Sequence, residues 1–190
     1  MAADCRWRIA SMQEEKDNLT NRFCERAAAT GSIVERVLRN AEAINAALTR
    51  ATSEEDVVLI SQPGDVDLSL FGPFLKNPKV VADPTREQLA TVRTGVTDSF
   101  CGVASTGSVC VPILNNLTSA ASMLTRRHIV LVDSASIVPR PRDVFSKEYV
   151  NGKGLSRSFS FITGPSATAD MGPLVIGVHG PQKVHIIVLE

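Results

Sequence analysis

Residues Phe159 to Glu190 read FSFITGPSATADMGPLVIGVHGPQKVHIIVLE. Two glycine–proline turns, Thr163-Gly164-Pro165-Ser166 and Val178-His179-Gly180-Pro181, are interleaved with apolar runs. Gly and Pro serve a backbone that must turn sharply or approach something closely. Such a segment predicts turns on the rim of a buried sheet. The first turn runs into Ser166, Thr168 and Asp170. Successive N–H groups from Gly164 onward, with the Ser166 and Thr168 hydroxyls, suit a phosphate or carboxylate. The same pattern also suits a strand-to-helix turn whose hydroxyls cap the next element. His179 follows the apolar run Leu174–Val178, beside Gly180. Strand ends are where open α/β sheets place ligands, and histidine suits acid–base work. The alternative is a half-buried imidazole bonded to a backbone carbonyl.

The rest of the chain supplies the frame. Leu19, Phe23 and Ala27 recur at helical spacing. After Thr30-Gly31, Ser32 and Glu35 form a candidate capping box for a second helix. Ile33, Val37, Ala41, Ile44 and Leu48 would mark its apolar face. The polar stretch Ser53–Asp56 ends this helical segment, expected over 1–55. From 56 to 190 strands dominate. Val57-Val58-Leu59-Ile60 is a continuous apolar run, as in a strand buried on both faces. Val80-Val81 is a short strand. Asp83 and Pro84 predict a helix start, with Asp as N-cap. Further strands are expected at Asp98–Val103, Ser108–Pro112, Ile129–Asp133, Ser158–Ile162, Leu174–Val178 and Val184–Leu189. Short helices are expected at Thr118–Leu124 and Arg142–Tyr149, and a loop at Asn151–Gly154. This order predicts one compact α/β domain with helices covering a central sheet.

Composition removes several function classes. Lys plus Arg and Asp plus Glu are both 20, so there is no basic surplus for nucleic acid. No apolar run approaches the roughly 20 residues of a membrane span, and the first residues lack a secretory core. A cytoplasmic protein is expected. Cys5, Cys24, Cys101 and Cys110 lack CxxC spacing, so free thiols are expected rather than zinc or cluster ligands. The three histidines are scattered. His128 is expected at the surface beside two arginines, and His185 within a strand. Asp133 ends an apolar run, where it can serve a pocket or cap the turn through Ser134 and Ser136.

Gly164–Asp170 followed by Gly177–Pro181 resembles the C-terminal signature of the lactate-utilization protein C family, the LUD domain. Upstream, Gly102-Val103-Ala104-Ser105-Thr106-Gly107-Ser108-Val109 resembles that family's strand and acid-Thr-Gly turn, and His128–Asp133 its next strand. The resemblance spans about Val57 to Glu190 and implies the ribose-phosphate isomerase and CoA-transferase superfold. That is a three-layer sandwich with a central, mostly parallel sheet on which the N-terminal helices pack. It implies a subunit of an L-lactate oxidation system whose iron–sulfur clusters sit on partner oxidoreductase subunits, with no cofactor on this chain and a small anionic metabolite as ligand. The ligand candidates are Thr106, Gly107, Ser108, Asp133, Gly164, Pro165, Ser166, Thr168, Asp170, His179 and Gly180. The chain also departs from the family pattern. Ser105 stands where an acid is usual, Ala167 where arginine is usual, and Met171-Gly172-Pro173 replaces an acidic and aliphatic segment. A serine without a base cannot form the thioester that a carboxylate nucleophile forms with CoA. The alternative function is a stand-alone CoA-ester or sugar-phosphate enzyme of the same superfold. The alternative structure for Ser105–Ser108 is a tight hairpin turn.

Overall fold

The computed structural model describes residues 2–113, 115–146, 158–169 and 172–190, with residues 2–13 as backbone only. Asp170, the Asn151–Gly154 loop and the far end of the helix expected at Arg142–Tyr149 lie outside the described residues. The helices are α1 (Ala2–Ala29), α2 (Ala41–Ala51), α3 (Gly72–Leu75), α4 (Arg86–Thr91) and α5 (Asn116–Ser119). The strands are β1 (Ile33–Val37), β2 (Val58–Ile60), β3 (Val80–Val81), β4 (Thr94–Ser99), β5 (Cys101–Val103) and β6 (Ser108–Pro112). They continue as β7 (Arg127–Asp133), β8 (Ile137–Val138), β9 (Phe159–Ile162), β10 (Ala167–Thr168), β11 (Val175–Ile176) and β12 (Lys183–Leu189).

Six strands form a central sheet in the order β1-β12-β7-β4-β2-β3. Every neighbouring pair in it is parallel. The run 129–132 is fully buried because it serves two cores at once. Ile129 and Leu131 face Ile44 and Leu48 of α2 together with Phe71 and Phe74. Val130 and Val132 face the other way, onto Phe23 and Ala27 of α1 and Val109 and Val111 of β6. A second sheet, β8-β5-β6-β9, lies on the α1 side. Its far face carries a third core of Phe100, Cys101, Val103, Cys110, Val138 and Val144. The result is a three-layer α/β sandwich, with α2 and α3 on one face of the parallel sheet and α1 with the small sheet on the other. Each Val, Leu, Ile or Phe side chain buried in these layers stabilises the fold by roughly 1.5–3 kcal/mol.

Three expectations are corrected. Ile33–Val37 is a strand and not the start of a helix. It adds to the sheet edge by pairing Ile33 with His185 through Val37 with Leu189. The helix begins after Asn40, whose side chain accepts the Ala43 N–H at 2.8 Å, while the Ser32 hydroxyl is buried and caps nothing. Alternation with a period of two and helical spacing coincide over such a short run, so periodicity could not separate them. The helix expected from Asp83 starts two residues later, with Thr85 as N-cap in a capping box with Gln88. The stretch Asp98–Val103 is two strands. β4 stays in the central sheet, and the chain crosses at Phe100 into the small one.

Candidate functional site

The two turns that carry the sequence signal meet the Thr106-Gly107-Ser108 turn at the C-terminal end of α1. Gly107 (φ +69°) and Gly164 (φ +75°) both occupy the left-handed region, where a side chain is strained. A Cβ on Gly107 would lie 2.2 Å from the Ala27 nitrogen, and one on Gly164 2.5 Å from the Thr30 oxygen. Glycine is therefore required at both positions for the turns to seat on the helix. β5 and β6 form the antiparallel hairpin whose tip is Ala104–Gly107. Ser108 is buried and hydrogen-bonds both Thr106 Oγ1 and Thr163 Oγ1 at 2.7 Å. This hydroxyl chain ties the hairpin to the first glycine turn.

The second turn closes over the first. Ser166 N–H donates to the Pro181 carbonyl (2.9 Å), and Gly177 N–H donates to the Ser166 carbonyl (2.7 Å). A Cβ on Gly180 would stand 3.0 Å from the Ser166 Cβ. Pro165 packs beside Gly31, and Ser166 and Thr168 are half-buried. His179 is exposed next to this contact. Thr106, Gly107, Ser108, Gly164, Pro165, Ser166, Gly180 and their neighbours thus form one cluster. Leu174–Val178 is not a strand of the central sheet. Only Val175–Ile176 is extended, paired with Ala167–Thr168 in a separate two-stranded ribbon. His179 and Gly180 accordingly precede β12 and stand at the amino end of the parallel sheet, away from the carboxyl-end crevice.

Asp133 lies at the opposite end. It closes β7 at the carboxyl edge, where one carboxylate oxygen accepts the Ala135 N–H (2.9 Å) and the other meets Arg39 Nε (2.9 Å). Beside it, a cavity of about 540 Å³ is lined by Lys16, Thr20, Asn21, Arg36, Ser134 and Glu190, among others. Arg36 is held there by Glu190 (2.8 Å) and Asn21 (2.7 Å).

His128 is buried, contrary to the surface position expected for it. It is the second residue of β7, a central strand covered on both faces, and lies against Thr97 of β4. Its Nε2 lies 2.9 Å from Thr97 Oγ1, and its Nδ1 has no partner. Burial pushes its pKa down to about 3, so it stays neutral. His185 Nε2 approaches Glu35 Oε2 at 3.4 Å without hydrogen-bond geometry. Burial lowers its pKa, and Glu35 opposes the shift. Ser105 donates its backbone N–H to the Pro139 carbonyl (3.1 Å).

Two buried features escaped the sequence reading. Asp98 is 3% exposed, and its Oδ2 accepts the N–H groups of Gly64 (2.9 Å), Asp65 (2.6 Å) and Val66 (2.9 Å). An acid inside an otherwise buried strand was the available signal. Gly95 lets the π-helical turn Ala120–Leu124 lie directly on β4, because a Cβ there would meet Ala121 O at 2.1 Å. Cys101 and Cys110 are free, buried and opposite each other across β5 and β6. Hydrogen bonding to Cys101, with burial, raises the Cys110 thiol pKa far above its ordinary value, which favours an inert thiol. Among the described residues no group of three or more His, Cys, Asp or Glu side chains is placed to hold one metal ion. No helix among them is long and apolar enough to cross a membrane.

Comparison with known proteins places this architecture. Over 100 residues the chain is 34% identical to lactate utilization protein C of Bacillus subtilis (strain 168), covering 50% of this chain and 42% of that protein. It is 32% identical over 129 residues to lactate utilization protein C of Shouchella clausii (strain KSM-K16), covering 63% and 56%. The chain therefore matches about half the length of these relatives. The crystal structure of a DUF162 family protein from Deinococcus radiodurans, at 1.70 Å resolution, superposes with a TM-score of 0.66 over 92% of this chain and 98% of that one. At 19% identity this is a likeness of fold. The LUD domain family model matches residues 21–189, and the chain belongs to the LUD domain family.

Proposed function

We propose that this chain serves lactate utilization as an accessory, binding subunit of an iron–sulfur L-lactate oxidation system. The redox clusters would sit on partner oxidoreductase subunits. The chain itself would hold a small anionic metabolite at the cluster of Thr106, Gly107, Ser108, Gly164, Pro165, Ser166, Thr168, His179 and Gly180. One observation carries this reading. Two stretches more than fifty residues apart in sequence, each matching the family's motifs, close on each other through the Thr106–Ser108–Thr163 hydroxyl chain. Hydroxyls at such turns suit a carboxylate, and the name of the relatives supplies the class of metabolite. Ser105 favours binding over covalent chemistry. Its hydroxyl has no hydrogen-bond partner among the described residues, and an unassisted serine is a weak nucleophile.

Two measurements test the reading. Disrupting the coding sequence is expected to abolish growth on L-lactate while growth on glucose continues. The chain is expected to co-purify with iron–sulfur oxidoreductases, and the complex to show cluster absorbance. Normal growth on lactate would overturn the proposal. Turnover of acyl-CoA or a phosphosugar by the isolated chain would replace it with the stand-alone enzyme.

A further inference from the structure

β10 and β11 belong to neither main sheet. They form a two-stranded ribbon with two residue pairs, Ala167 with Ile176 and Thr168 with Val175. An isolated ribbon of this size is marginal in water. Its side chains are also poorly covered. Leu174, Val175, Ile176 and Val178 are each 49–63% exposed, and Leu124, at the end of the π-helical turn, is 82% exposed. Met123 of that turn is exposed too, and its carbonyl lies 3.9 Å from where a Gly180 Cβ would stand. Together these six side chains expose apolar surface on the order of 600 Å², against about 800 Å² per partner in a standard interface. Charge is missing as well. Asp170 is the only formally charged residue from Phe159 to Gln182, whereas 21% of the whole chain is charged. Depletion of charge around an apolar patch marks the centre of an interface.

The hydrogen-bond parity of the ribbon leaves the outer edge of β11 open. Gly177 N–H donates to Ser166 C=O, so the register makes 166 with 177 and 168 with 175 the bonded pairs. In an antiparallel ladder the alternate residues, Ile176 and Leu174, then turn their N–H and C=O groups outward. No described backbone group outside the ribbon bonds to them. We propose that this edge and its apolar cover are the self-association surface of the protein, and that its occupant is β11 of a second copy. A two-fold axis at Ile176 would pair Ile176 with its symmetry mate and build a continuous four-stranded sheet, β10-β11-β11-β10. A patch poor in charge carries little electrostatic complement for selecting a different partner. An isologous contact needs only self-complementarity, which an edge strand pairing with itself provides. Such a dimer would also bring the two Ser166–Gly180 contacts toward each other, since both turns join the ribbon.

Sedimentation equilibrium of the full chain at micromolar concentrations tests this. The native chain is expected to sediment as a dimer. Ile176→Lys, placed at an exposed position, is expected to weaken dimerisation at least tenfold with unchanged circular dichroism. Ile176→Cys is a smaller change with a second readout. It should form an intermolecular disulfide under mild oxidation, whereas Leu68→Cys, also exposed, should not. A native chain that stays monomeric overturns the proposal. So does an Ile176→Lys variant that dimerises like the native chain, or an Ile176→Cys variant that fails to cross-link.

Discussion

Replacing Asp98 with alanine removes the acceptor shared by three backbone N–H groups of the loop after β2. The carboxylate oxygen receives Gly64, Asp65 and Val66 at 2.6–2.9 Å. These groups differ in access to water. Gly64 is exposed and can hydrate, Asp65 is half-buried, and Val66 is 3% exposed. A buried donor without a partner costs about 1–3 kcal/mol, and a hydrogen bond to a charged group contributes about 1.5–3 kcal/mol. The three bonds share one oxygen and do not add fully, so the loss should be about 2–4 kcal/mol. For a chain of this length about 1 kcal/mol shifts the melting temperature by about 2–4 °C, so Asp98→Ala should melt about 4–16 °C lower. Asp98→Asn keeps an acceptor oxygen but no charge, and should fall between the native chain and the alanine variant. Urea unfolding with an unchanged m-value gives the free energy. Hydrogen exchange at Val66 gives the location, with protection lost there before it is lost in β7. A change below about 0.5 kcal/mol, the level of ordinary surface substitutions, would refute the reasoning. So would a Val66 amide that stays protected in Asp98→Ala.

His128 sets a pH dependence. Its folded pKa of about 3 lies below the ordinary histidine value, so between the two the unfolded chain binds the extra proton. Its contribution to stability is therefore full above about pH 6.5 and is lost as pH falls toward 3, with a ceiling of about 5 kcal/mol. Equilibrium unfolding at pH 7 and pH 4 should show a shallower loss in His128→Gln than in the native chain, and parallel losses would count against it. Gly107→Ala combines a left-handed φ with a Cβ 2.2 Å from Ala27 N, so it should destabilise by at least about 2 kcal/mol. It should also unseat α1 from the hairpin, which a rise in proteolysis near residue 27 would report. Asn40→Ala should cost about 1 kcal/mol as a lost N-cap, whereas Ser32→Ala should cost less, since its hydroxyl caps nothing. Thermal unfolding of both variants checks the order.

Much of the frame was legible in the sequence because it rests on local chemistry. The apolar run at 57–60 was read as a strand buried on both faces, and Ile129–Asp133 and Val184–Leu189 as strands, and all three lie in the central sheet. Val80-Val81 and Ser108–Pro112 were read to the residue. The glycines at 107 and 164 were recognised as turn residues, and both have positive φ. What the sequence could not decide was where such pieces go. Ile33–Val37 reads equally as a helical or an extended run, and it became a strand because β12 offered a free parallel edge. His128 looked exposed beside two arginines, yet β7 lies between β4 and β12 with a core on each face, which leaves it no solvated side. Asp98 resembled any polar residue in a strand until the loop at Gly64–Val66 folded over it. His179 and Asp133 both looked like groups at strand ends, and the strand order put them at opposite ends of the sheet. Local propensity and periodicity act over a few residues and are written in the chain. Strand order, register and the choice of sheet end depend on partners far apart in sequence, and only tertiary packing selects among them.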